Sequence, residues 1–277
     1  MNTNRTLYLK IFYACLIGLI ALTLPVIINH QFNFLIDKPA HKHLVQSIFI
    51  GVISISGIWF LKTKFDESHP VPIGLTNSKT AIIQFLLGFG LIAVPLIITI
   101  SASVLFDWTE LTFNIENGTL MLVIFGLLST FFTDAITEEL IFRGYIYSNL
   151  KKRFNTWKSS IITLVLFVTI PIIISLVQKL FGIDSTVPIS GGYVITLLFF
   201  GAFVQYLRVL TKSIWAGVGF HLFFVFMNQL IGITDKQLIQ FSETSNQQPV
   251  QITLIVLLLL VFISLIAYPY LKKRKES

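Results

Sequence analysis

Eight long stretches of this chain are nearly free of charge, and that restricts its fold more than any motif does. Apolar windows near the ~20 residues that span a bilayer as a helix occur at about 9–29, 44–61, 81–106, 119–141, 159–178, 191–210, 213–232 and 250–270. In hydrocarbon every backbone polar group must be satisfied internally, and windows of this length are read as spanning helices. The expectation is an all-α, polytopic membrane helical bundle with about eight transmembrane helices. Windows six and seven, separated only by Thr211 and Lys212, have a second reading as a tight hairpin that does not fully cross. A chain that is 55% hydrophobic and 12% charged, with a mean hydropathy of +0.82, is too apolar for a soluble domain.

Basic residues orient the bundle, because they concentrate in cytoplasmic loops. Arg5, Lys10, Lys62, Lys64, Lys79, Lys151, Lys152, Arg153, Lys158, Arg208, Lys212, Lys272, Lys273, Arg274 and Lys275 fall on one side of the eight-span arrangement. Lys38, Lys42, Lys179 and Lys236 fall on the other. Both termini are therefore predicted cytoplasmic, and the loop from Asp107 to Gly118, which holds Asp107, Glu110 and Glu116, faces outward. The net charge of +7 follows from basic loops lying against anionic headgroups. Membrane lipid is thus an expected partner, and no nucleic acid is needed to explain the charge.

The first window is read as a retained span, since no small-residue cleavage site follows Pro25 to Asn29. A single cysteine, Cys15, excludes an intramolecular disulfide. Without internal repeats, the chain divides into N-terminal helices 1 to 3 (1–118), a core (119–232), and a final segment (233–277) of outward loop, last helix and basic tail.

Against this apolar background, Glu138, Glu139 and Arg143 stand out. A carboxylate near the bilayer centre costs roughly 2.5 to 3.5 kcal/mol on insertion scales, so such groups need compensation or a function. Glu139 and Arg143 are i, i+4 neighbours and can pair. Glu138 points about 100° away on an α-helix and is left free, with Asp134 one turn before it. This division suggests an orienting Glu139–Arg143 pair and a Glu138 base or ligand, although the glutamates can exchange roles. The plainer alternative is a salt bridge at the end of a span, with Arg143 snorkelling to the interface.

His221, in the seventh window, lies at a compatible depth, and Gly217 one turn earlier lets another helix approach closely. Carboxylates and an imidazole together suit water activation or a divalent metal such as zinc, with Glu138, Glu139 and His221 as its ligands. Alone, a buried histidine is more often a packing residue. His30, His41, His43 and His69 lie in or beside loops, and the His41-Lys42-His43 run reads as solvated.

At these residues the chain resembles the CAAX protease and bacteriocin-processing family (CPBP, or Abi), over roughly residues 120 to 232. Glu138-Glu139-Leu140-Ile141-Phe142-Arg143-Gly144-Tyr145 resembles its first motif, Glu-Glu-x-x-x-Arg, and Ser213 to His221 resembles the approach to its last histidine. The resemblance implies an intramembrane endopeptidase in which a glutamate activates water for attack on a peptide carbonyl. Two histidines and an asparagine or aspartate assist, by coordinating a metal or by stabilising the oxyanion. Mapped here, Glu138 and Glu139 are the base candidates, Arg143 the orienting cation and His221 the last-motif histidine. The resemblance also implies a bacterial plasma membrane, membrane-associated peptide substrates and a link to bacteriocin immunity.

Two positions depart from that pattern. The middle motif, Phe-x-x-x-His, finds its nearest match at Phe167 to Pro171, with proline for histidine, and Val225 stands where the last motif has Asn or Asp. Asn228 shares the face of His221 but lies ~10 Å further along the axis. Pro171 should also kink the fifth helix. These losses support an alternative reading as a degenerate scaffold that regulates a membrane partner. A transporter using Asp134, Glu138 and His221 as a proton relay is a third reading, without a repeat to support it.

Overall fold

The computed structural model describes residues 3–32, 39–66, 72–108, 110–113, 115, 118–183, 189–232, 238–241 and 247–275. Lys38, His69, Glu116 and Lys236 lie outside the described residues, as does much of the polar stretch from Ile233 to Pro249.

Each apolar window becomes a helix. They are α1 (Thr3–Phe32), α2 (Pro39–Asp66), α3 (Ser78–Leu105), α4 (Thr119–Lys151), α5 (Thr156–Leu180), α6 (Gly191–Thr211), α7 (Trp215–Leu230) and α8 (Gln247–Lys275). Among the described residues, α1 to α6 are long and apolar enough to cross a membrane. α7 has only 16 residues, and the apolar part of α8 that is described runs from Ile252 to Ser264. A tight connection joins α6 to α7. Lys212 takes a left-handed conformation with φ 58°, and the Ser213 hydroxyl accepts from the Trp215 N–H at the start of α7.

The chain forms two compact units. One comprises residues 1–88 and 120–222, the other residues 89–119 and 223–277. In the first, small residues set close helix approaches. A Cβ at Gly57 of α2 would lie 2.7 Å from Ile17 of α1, and one at Gly88 of α3 would lie 1.9 Å from the Ala216 carbonyl oxygen of α7. The second unit departs from an all-helical reading. Leu111–Phe113 (β1), Ile231–Gly232 (β2) and Ile239–Phe241 (β3) make a small sheet of order β1-β3-β2, with β1 antiparallel and β2 parallel to β3. Runs of two or three residues are too short to register as strands in a chain dominated by long apolar windows.

α4 carries the site, and it is not a uniform α-helix. π-helical turns occupy Phe131–Ala135 and Glu139–Ile146. Such wider turns recur at functional sites. The Ile136 N–H bonds to the Phe131 carbonyl, the Tyr147 N–H to the Phe142 carbonyl, and the Thr137 hydroxyl to the Phe132 carbonyl at 2.6 Å. From Ala135 to Leu150 every residue is buried except Glu138. The helix α5 continues on both sides of Pro171 without a break in its helical assignment.

Candidate active site

Glu139 is fully buried, and its Oε1 accepts from Arg143 Nη1 at 3.1 Å. The i, i+4 pairing expected on an α-helix thus survives on the π turn. Arg143 does not snorkel. It is 0% exposed, donates from Nη2 to the Gly201 carbonyl of α6 at 3.0 Å, and sets its guanidinium 4.0 Å from the centre of the Phe167 ring. A buried cation needs such partners, because removing one partner of a buried pair leaves an uncompensated charge. Phe167, the aromatic half of the incomplete middle motif, is in this way a wall of the arginine site.

His221 completes the cluster. Its Nδ1 lies 3.1 Å from Glu139 Oε1 and its Nε2 lies 3.9 Å from Glu138 Oε2. The two glutamates, expected to diverge around the helix, face one imidazole from different sides. A wider turn reduces the angle between successive side chains, and an imidazole presents nitrogens on two edges. The Phe200 ring of α6 closes on His221 edge-on, with centroids 4.7 Å apart.

Gly217 is the close-approach position that its spacing from His221 suggests. A Cβ there would lie 2.9 Å from Glu139 Oε2 and 2.9 Å from a Val204 methyl. Arg208 braces the backbone below. It donates from Nε to the Arg143 carbonyl at 3.0 Å and from Nη2 to the Ser148 hydroxyl at 3.2 Å, while Gly74, at φ +78°, lies against its guanidinium. Arg208 counts in the sequence only as a topology-setting loop cation. Its burial depends on which helix it meets.

Asn228 donates to the Phe224 carbonyl of its own helix at 2.6 Å. His30 and His43 are exposed, whereas His41 is half-buried with its ring edge-on to Phe125 at 5.0 Å.

The donors do not make up the three-ligand set that a catalytic zinc requires. Glu139 Oε1 is engaged by both Arg143 and His221. Among the described residues no group of three or more His, Cys, Asp or Glu side chains is placed to hold a metal ion. What the arrangement offers is an oriented imidazole and one carboxylate, Glu138, left without a cation of its own. Its side chain is 14% exposed, against 0% for Glu139.

Comparison with known families agrees with the motif resemblance. Residues 119–227 match the family described as type II CAAX prenyl endopeptidase, Rce1-like. No curated protein matches the chain. The match spans Glu138, Glu139, Arg143 and His221, so the segment that carries the buried cluster is the one similar to the Rce1-like type II CAAX prenyl endopeptidase family.

Proposed function

We propose that this protein is a glutamate-dependent intramembrane endopeptidase that hydrolyses membrane-associated peptides, with Glu138 as the base. The observation that carries this reading is the 3.9 Å span between His221 Nε2 and Glu138 Oε2. It is too long for a direct hydrogen bond and short enough for one water to bond both acceptors at ~2.8 Å each. Glu139, paired with Arg143, accepts from His221 Nδ1–H and so leaves the Nε2 lone pair as the acceptor facing Glu138. Glu138 takes a proton as the water oxygen bonds to the peptide carbonyl carbon. That proton passes to the departing amide nitrogen as the C–N bond breaks, leaving a carboxylate and an amine. General-base assistance of this kind contributes ~100- to 10,000-fold. Arg143 acts through Glu139 and is a positioning residue. No step here runs through a metal.

The bilayer is read as a bacterial plasma membrane from the family resemblance, with the basic loops on the cytoplasmic side. Pro171 and Val225 favour a second reading, in which the same buried cluster shapes a scaffold that binds a membrane partner, including one involved in bacteriocin immunity. A quenched-peptide library incubated with the purified protein in detergent, beside E138Q and H221A, distinguishes the two. Cleavage lost in both variants supports the peptidase. Absence of cleavage by the wild type, with a cellular phenotype that still depends on Glu138, supports the scaffold.

A further inference from the structure

Glu138 and Glu139 meet His221 only while the π turn from Glu139 to Ile146 keeps its wide spacing. We propose that Arg208 of α6 is a positioning residue for the site: its Nε–H holds that turn open by bonding the carbonyl that the turn leaves without a main-chain donor. The inference rests on Glu138 being the base.

The Tyr147 N–H reaches back five residues to the Phe142 carbonyl, and the α-helical turn from Tyr147 to Lys151 restores a spacing of four. A helix that passes from the longer spacing to the shorter has one carbonyl more than it has main-chain N–H groups to bond it. The carbonyls at this passage are those of Arg143, Gly144 and Tyr145. Both outer ones take side-chain donors, Arg208 Nε at 3.0 Å and Asn149 Nδ2 at 3.0 Å. Asn149 belongs to α4 and moves with it, so the bond from Arg208 is the one that ties the passage to a second helix.

The guanidinium is held for this task. Nη2 donates to the Ser148 hydroxyl at 3.2 Å, and the Tyr147 ring centre lies 5.5 Å from Cζ. Gly74, before α3, packs on the other side, where a Cβ would lie 3.0 Å from Cζ. The Gly74 carbonyl in turn accepts from the Ile214 N–H at 3.0 Å. Arg208 is buried, and among the described residues no carboxylate forms an ion pair with it. A cation that only sets topology faces headgroups, and a buried charge without a counter-ion is costly, so neither sidedness nor stability accounts for an arginine here.

Without the Nε donor, the freed carbonyl is satisfied most simply by tightening the π turn to four-residue spacing. That turns one side of α4 against the other by about 100° and shifts it by ~1.5 Å. Glu139 Oε1 would then leave His221 Nδ1, which is 3.1 Å away in the structure.

Methionine and glutamine at position 208 test this, because Met places a methyl and Gln an amide N–H where Arg208 has Nε. In the quenched-peptide assay R208M should lower kcat by ~100-fold with KM little changed, the scale on which small misplacements act. R208Q, which keeps the donor, should recover at least about tenfold of that loss. A second readout needs no cleavage. Imidazole nitrogen NMR at mildly alkaline pH, with His221 assigned by H221A, should show the Nδ1–H tautomer in wild type and R208Q and a mixture of tautomers in R208M. R208Q no better than R208M, or R208M equal to wild type in either readout, overturns the inference; the base reading still stands if E138Q abolishes cleavage. Cleavage that survives E138Q, or none by the wild type, removes both. Should R208M fail to fold, R208Q decides alone, and loss of the Nδ1–H tautomer in it overturns the inference.

Discussion

Glu139 Oε1 and His221 Nδ1 lie 3.1 Å apart although 82 residues separate them in the chain. The same oxygen takes the Arg143 guanidinium, so one buried carboxylate orients both a cation and an imidazole.

Because Glu138 alone between Ala135 and Leu150 is not fully buried, E138Q should leave the fold intact while removing the base. Peptide cleavage is expected to fall by ~100- to 10,000-fold, with the thermal midpoint in detergent unchanged within a few degrees. Cleavage at wild-type rate by E138Q would place the base elsewhere.

Arg143 holds a different kind of position. R143A strands Glu139 without its cation and empties the space against Phe167. Breaking a buried pair in this way typically costs ~3–5 kcal/mol, so R143A should lower the thermal midpoint far more than E138Q does. Equal midpoints would mean that the pair contributes little to stability.

Gly217 offers a steric probe of the same cluster. A methyl at this position meets Glu139 Oε2 and Val204 at 2.9 Å, whereas one at Gly90 meets nothing within 4 Å. Overpacking of this degree costs ~1–3 kcal/mol. G217A should therefore destabilise the protein and reduce cleavage, with G90A near neutral on both measures.

Lys10 of α1 and Asp66 of α2 form a second buried ion pair, away from the cluster in sequence. K10M or D66N alone should destabilise by several kcal/mol, as expected when one buried charge is left uncompensated, and the double variant should recover part of the loss. Strict additivity in a double-mutant cycle would show that the pair is not coupled.

Since Glu138, Glu139 and His221 do not form a three-ligand metal site, cleavage should survive a strong zinc chelator. Incubation with 1,10-phenanthroline followed by the quenched-peptide assay checks this. Loss of activity that added zinc restores would reinstate a metal.

The eight windows were legible because hydrocarbon admits few solutions: twenty apolar residues must become a helix, whatever follows. The motif residues were legible for a related reason, since Glu138, Glu139, Arg143 and His221 are too costly in an apolar chain to be incidental. Their arrangement was harder to read. Uniform α-helical geometry sends Glu138 away from Glu139, but the π turns from Phe131 to Ile146 bring both to His221. Arg208 looked like a loop cation and proved to brace the Arg143 backbone, because burial depends on the neighbouring helix rather than on the residue's own window.

The sequence by itself determined that the chain is a helical membrane bundle with an ionic cluster in the core segment 119–232. Apolar length and the cost of charge in hydrocarbon are local properties, readable one segment at a time. Only the tertiary structure decided which carboxylate is tied to Arg143 and which is left without it. That depends on His221 approaching from α7 and Gly201 from α6, and distances between helices are set by packing.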